Sequence, residues 1–306
     1  MNTEHKTVHR SRLGQIFLSS SEPRLRAGWR LLIQVLMQVG FTVFASLVIF
    51  IPYNLLTGST GLSGLPYLGF SEIIEILTVT LSVYLARRFL DKRSFASLGL
   101  TMNKQAIQDI LTGIGITFIM MGSIFFLEMM LGWLSFGSFA WTIEPVQNVV
   151  AQVLLFFLVF IVVAWNEELM SRGYHLQTLA SGINLLWGLI ISSAIFGILH
   201  LANPHATWIS ALGILFAGLF LGYAYIRTRQ LWLSIGMHLG WNFFEGVVFG
   251  FPVSGLDIYH LTHINVSGPE LWTGGAFGPE AGLILLPAIA IGTYLVYLYT
   301  HTYTAS

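Results

Sequence analysis

Long apolar segments recur along this sequence, and each is close to the length of a membrane-spanning helix. A spanning helix needs roughly 20 residues. The segments cover approximately residues 30–51, 71–90, 108–131, 148–170, 184–202, 206–226, 231–250 and 281–300. They are continuous and lack the alternating segments of about ten residues that are typical of transmembrane barrels. We therefore predict an all-α, polytopic membrane helix bundle with about eight transmembrane helices.

The polar stretches between these segments indicate one domain. The fourth helix is expected to continue past its apolar part to about Ala180, and residues 251–280 form a loop rich in Gly, Pro and acidic residues. No internal repeat separates two halves. We predict a single integral-membrane domain over 1–306, with a polar cytoplasmic segment at 1–29.

The basic residues indicate the orientation of the bundle. All 14 Lys and Arg residues precede the first helix or lie between helices two and three, four and five, or six and seven. An alternation of eight helices places all of these positions on the side of the N-terminus. By the positive-inside rule, both termini are predicted to be cytoplasmic.

Composition supports a membrane location and excludes several functions. The chain is 55% hydrophobic and 9% charged, whereas soluble proteins carry roughly a quarter charged residues. The zero net charge gives no basic face for nucleic acid. The absence of cysteine excludes disulfides, thiolate ligands and a cysteine nucleophile. We expect a multi-pass protein whose partner is the lipid bilayer, in a bacterial plasma membrane.

The fourth helix carries an unusual group of charges directly after thirteen uncharged residues. Glu168 and Arg172 are four residues apart and share a helix face, so they can form an ion pair. Glu167 is rotated by about 100° from Glu168 and faces elsewhere. Ionisable residues within spanning segments suggest function. A solvated charge cluster at a cytoplasmic helix end fits this pattern equally well.

Polar residues in two later helices complete a candidate site. His200 lies near the end of helix five, and His238 and Asn242 share one face of helix seven. At about 1.5 Å per residue, Glu167 and His200 lie at similar distances along their helices from the turn at 181–184 and therefore at similar depths in the membrane. His238 is expected at a shallower depth. Packing or hydrogen bonding between helices would also explain these residues. Glu245 lies close to the same face and is a candidate supporting group.

Two further acids have a simpler interpretation. Glu72 and Glu75 stand at the start of the predicted second helix, where carboxylates suit the positive end of the helix dipole. We expect them to be structural.

These residue types suit hydrolysis. A buried glutamate can take a proton from water, and a carboxamide and an imidazole can donate to a developing oxyanion. The same Glu167, His200 and His238 also suit a Zn²⁺ ion whose open position holds the water. Spacing does not decide between the two chemistries.

Three motifs resemble a known family. EELMSR fits EExxxR, FGILH fits FxxxH and HLGWN fits HxxxN, in the same order and with RGY and HLANP after the first two. This pattern resembles the CAAX-protease and bacteriocin-processing family of intramembrane proteases, which includes the type II CAAX prenyl endopeptidases. The resemblance covers about residues 145–250, a catalytic core of four helices.

The resemblance implies a role for each matched residue. Glu167 would be the base that activates water, and Glu168 with Arg172 a structural pair. His200 would hold the water or a metal ion. His238 and Asn242 would stabilise the oxyanion or complete a metal site. The expected function is an intramembrane endopeptidase, of glutamic or metallo type.

The substrates expected from this resemblance are membrane-associated peptides or proteins, either prenylated as in CAAX processing or not. Two alternatives remain. One is a proton-coupled transporter, in which buried Glu and His residues act as relays. The other is a non-catalytic immunity or scaffold protein on the same fold.

Overall fold

The computed structural model describes residues 16–19, 22, 24–57 and 64–301. Most of the polar segment predicted at 1–29 lies outside these residues. The long helices within them are α1 Ala27–Thr57, α2 Gly64–Leu85, α3 Lys104–Met130, α4 Val146–Gly182, α5 Leu185–Leu199, α6 Trp208–Thr228, α7 Trp232–Asn242 and α8 Leu285–Thr300.

Each predicted apolar segment corresponds to one of these helices, but the second begins earlier than predicted. Helix α2 starts at Gly64 and has no acidic residue in its first turn. The interpretation of Glu72 and Glu75 as residues of the helix start was therefore wrong. The apolar stretch that the sequence shows is only the later part of a longer helix.

Helix α4 is long, as predicted. It runs without a break from Val146 to Gly182, so the expected continuation past the apolar part is confirmed. Of the three π-helices in the described residues, Leu169–Leu176 directly follows the two glutamates and Phe243–Val248 extends α7 directly after Asn242, while Ala86–Leu90 follows α2. Such local widening is frequent at functional sites.

The all-α membrane bundle is confirmed. Five of the described helices are long and apolar enough to cross a membrane: Ala27–Leu56, Lys104–Met130, Val146–Gly182, Leu185–Ala202 and Trp208–Thr228. Apolar side chains of α1, such as Phe44 and Leu55, are exposed on the outside of the protein, which suits contact with lipid. The total of eight spans and the cytoplasmic termini remain predictions.

Helix α7 lies in the interior and packs closely along α3. A Cβ atom at Gly236 would lie 2.4 Å from the carbonyl oxygen of Ile110, and one at Gly113 would lie 2.6 Å from the backbone nitrogen of Met237. Only glycine permits two helices to approach this closely. The contact holds α7, with His238 and Asn242, at a fixed position inside the bundle.

Two segments between the long helices form a small antiparallel sheet. Strand β1, Leu134–Phe139, pairs with β2, Thr262–Val266, with an irregularity between Phe136 and Ser138. Neither strand was predicted, because both are short and lie in loops. Their pairing ties the loop after α3 to the long loop after α7.

Candidate active site

The two adjacent glutamates of α4 have different surroundings. The Glu168 side chain is completely buried, whereas the Glu167 side chain is 25% exposed. This difference follows from the rotation of about 100° between successive helix residues. Glu167 faces a cavity, and Glu168 faces neighbouring side chains.

Glu168 and Arg172 form the predicted pair. Arg172 Nη1 donates to Glu168 Oε1 over 2.7 Å, and its Nη2 donates to the carbonyl of Gly218 over 3.2 Å. The guanidinium also lies 4.4 Å from the centre of the Phe196 ring. The sequence did not predict that Glu168 contacts a third residue: His238 Nδ1 lies 2.8 Å from the same Oε1.

The two histidines are oriented by their Nδ1 atoms. His200 Nδ1 lies 2.8 Å from the carbonyl oxygen of Phe196, which can only accept a hydrogen bond. His238 Nδ1 likewise faces the Glu168 carboxylate. Both Nδ1 atoms must therefore carry the proton in these contacts, so that both Nε2 atoms are available for the site.

Both Nε2 atoms approach Glu167. Glu167 Oε2 lies 3.6 Å from His238 Nε2 and 3.9 Å from His200 Nε2. This oxygen makes no hydrogen bond to the residues that the structure describes. The separations exceed a direct hydrogen bond, so the three groups can share a water molecule between them.

A cavity of about 270 Å³ contains this group. Asn242, which is 6% exposed, also lies on its wall. The four residues singled out as catalytic candidates thus surround one space. Most of the wall is apolar, including Phe156, Phe160, Phe196, Ile214, Phe220 and Leu221.

The residue types at this site suit a metal ion, but the described residues form no recognised ligand group. Among the described residues, no group of three or more His, Asp or Glu side chains is placed to hold one. The hypothesis that Glu167, His200 and His238 bind a metal therefore gains no support, and no chemical step is assigned to one.

The comparison with protein families matches the centre of the chain. Residues 149–244 fit the family described as "Type II CAAX prenyl endopeptidase Rce1-like". The predicted family resemblance is confirmed over this segment. It contains all six residues to which the motifs assign a role: Glu167, Glu168, Arg172, His200, His238 and Asn242.

A curated relative and the solved structures complete the comparison. Over 87 residues the chain is 33% identical to the protein named "Putative membrane peptidase YdiL" of Bacillus subtilis (strain 168). The matched part is 28% of this chain and 34% of that protein, so the chain spans about a third of the length of this relative. No solved structure matches the chain significantly.

The Rce1-like segment does not build the cavity alone. Helix α2 contributes Glu72, α3 contributes Thr117, the loop after α7 contributes Ser254 and Asp257, and the turn before α8 contributes Glu280. Glu72, interpreted from the sequence as part of a helix start, therefore lies beside the candidate site.

Glu280 is the most unusual of the residues that the sequence analysis missed. Its side chain is nearly buried, and it accepts hydrogen bonds from Trp241 Nε1 over 3.1 Å and from Ser254 Oγ over 2.5 Å. Burial raises the pKa of this carboxyl group, while Ser254, His200 and His238 oppose the increase. Nothing in the sequence indicated a role for Glu280, because it lies in an acidic loop and belongs to no motif.

Proposed function

We propose that this protein is an intramembrane peptidase in which Glu167 takes a proton from the attacking water. The placement of Glu167 Oε2 within 4 Å of two oriented imidazoles supports this proposal. The family match over residues 149–244 and the similarity to a protein named as a membrane peptidase support it independently.

The site provides a group for each early step of peptide hydrolysis. A water between Glu167 and the Nε2 atom of His200 or His238 can donate one hydrogen to the carboxylate. As the water oxygen attacks the peptide carbonyl, negative charge develops on the carbonyl oxygen. The Asn242 amide and a protonated His238 can donate to that oxygen. Glu168 stabilises the protonated form of His238 because its carboxylate contacts Nδ1.

The cavity wall indicates the substrate class. It is mainly apolar, and it includes Glu167 and the two imidazoles that lie within 4 Å of its carboxylate. Such a site favours an apolar peptide segment with one reactive bond at the polar end. We propose membrane-associated peptides as substrates, with prenylated CAAX-type chains as the first class to be tested because of the family match.

The test compares purified wild type with the isosteric variant Glu167→Gln in lipid vesicles. The probes are a farnesylated CAAX peptide and a quenched library of apolar peptides, and mass spectrometry detects the products. We expect wild type to cleave and Glu167→Gln to lose activity at least 100-fold, because general base catalysis contributes about 10²–10⁴-fold.

Glu128→Gln serves as the matched control. Glu128 is a buried carboxyl group of α3 that does not line the cavity, so its variant should still cleave. Cleavage by Glu167→Gln at the wild-type rate would disprove the proposal. Vesicles that show pH-dependent flux without any proteolysis would favour the transporter alternative instead.

A further inference from the structure

Glu280 is held rigidly at the cavity. A Cβ atom at Gly213 of α6 would lie 1.8 Å from the backbone oxygen of Glu280, so the turn at Glu280 packs directly on α6. The side chain lines the same cavity as Glu167. The bundle therefore presents a second carboxyl group to the space in which Glu167 is proposed to act.

The hydrogen-bond partner of Glu280 has a strained backbone. Ser254 has a φ angle of 48°, in the left-handed region that residues other than glycine rarely adopt. Asn203 Nδ2 donates to its carbonyl over 3.0 Å and helps to hold this conformation. Strain of this kind often accompanies functional sites. It places the Ser254 hydroxyl on the cavity wall and against Glu280 Oε2.

The contacts of Glu280 are compatible with either protonation state. Trp241 Nε1 can only donate, so Oε1 must accept. The Ser254 hydroxyl can donate to an ionised Oε2 or accept from a protonated one. When it accepts, its own hydrogen is free to point into the cavity. A proton can therefore pass from Glu280 through Ser254 without any movement of the backbone.

Among the residues that the structure describes, only a few helices and loops contribute titratable side chains that interact with Glu280. His200 after α5, His238 of α7 and the buried Glu245 interact with it electrostatically. Helix α6, which packs against the turn, carries titratable side chains only in its last two turns, and those of α8 are tyrosines. The two imidazoles lower the affinity of Glu280 for a proton when they are charged.

We propose that Glu280 and Ser254 form a proton relay that protonates the leaving amine, while Glu167 acts as the base. This inference rests on the proposed peptidase function. Water adds to the carbonyl carbon and gives one proton to Glu167. As the C–N bond breaks, its electron pair stays on nitrogen, which takes the hydroxyl proton of Ser254. Ser254 takes the proton of Glu280, and solvent returns the proton of Glu167 to Glu280.

The test uses two substrates with the same apolar acyl part. One is an alkyl amide, whose nitrogen must be protonated to leave, and the other is a nitrophenyl ester, whose phenolate leaves without protonation. We expect Glu280→Gln and Ser254→Ala to lower kcat for the amide about 100-fold and kcat for the ester by less than about threefold. Glu280→Gln should also abolish the decrease in amide hydrolysis at high pH.

The control variants distinguish loss of the relay from loss of folding and from failure of the proposed peptidase function. Glu128→Gln removes a buried carboxyl group of α3 that does not line the cavity, and it should leave the ratio of amide to ester rates unchanged. Glu280→Asp should restore part of the amide activity. An equal loss on both substrates, or an unaffected amide rate, would overturn the relay. Glu167→Gln should lose both substrates, and a wild type that cleaves neither would refute the peptidase proposal itself.

Discussion

The buried pair of Glu168 and Arg172 permits a quantitative test of how the site is held together. Both side chains are at most 2% exposed, and Glu168 Oε1 accepts from Arg172 over 2.7 Å. Removing one member of a buried ion pair costs about 3–5 kcal/mol because the other charge stays buried without compensation. We therefore expect Arg172→Met and Glu168→Gln each to destabilise the protein by about 3 kcal/mol.

The double variant Glu168→Gln/Arg172→Met should be less damaging than either single change. It leaves no uncompensated charge, the Met chain fills most of the space of the Arg chain, and the Gln oxygen can still accept from His238 Nδ1. Replacement of a whole buried pair by neutral groups is often nearly neutral, so we expect a loss of about 1–2 kcal/mol. The excess of the two single losses over the double loss measures the coupling.

The assay is thermal unfolding in detergent micelles, monitored by circular dichroism. At roughly 2 °C per kcal/mol for a chain of this size, each single variant should lower Tm by about 6 °C and the double variant by about 2–4 °C. A double variant that lowers Tm by the sum of the single effects would refute the reasoning. Single variants with the wild-type Tm would also refute the reasoning, because a buried charge would then have lost its partner without any loss of stability.

Two further predictions test the packing away from the cavity. Asp91 is buried against Arg30 and Arg87 and lies roughly 28 Å along the α2 direction from Glu72. Asp91→Asn should lower the stability measured by thermal unfolding by about 3 kcal/mol and leave kcat unchanged. A lower kcat in the folded fraction would contradict this. Gly113→Ala should cost about 1–3 kcal/mol through its contact with α7. A Cβ atom at Gly115 would meet open space, so Gly115→Ala should leave the stability unchanged or raise it by up to about 1 kcal/mol. Equal effects at both glycines would disprove the close packing of α3 on α7 as the cause.

The sequence predicts the helices well because a membrane requires long, continuous apolar segments. It also predicts the different surroundings of Glu167 and Glu168, since these depend only on helix geometry. The depth of His238 was harder to predict. Residue counts from a turn give positions along one helix, but the relative shift of two helices depends on contacts such as that between Gly236 and Ile110. In the structure His238 reaches Glu168 directly.

Glu280 and Ser254 could not be predicted by the same reasoning. They lie in a loop without hydrophobic periodicity, and their placement depends on contacts distant in sequence. These contacts are the β1–β2 pairing, the approach of Gly213 and the bond from Asn203 to Ser254. None of the three produces a local pattern. Glu72 was misinterpreted for a related reason, because the start of α2 was placed too late.

The division of the cavity wall has a consequence for substrate selection. The Rce1-like segment supplies Glu167, His200, His238 and Asn242, whereas α2, α3, the loop after α7 and α8 supply much of the remaining wall. In the proposed reaction, the reactive bond of the substrate lies at the first part and its flanking residues extend along the second. Proteins that share only the motifs can therefore share the chemistry while differing in what they cleave. Exchange of the loop at 251–280 between two such proteins should change the substrate while Glu167 remains essential.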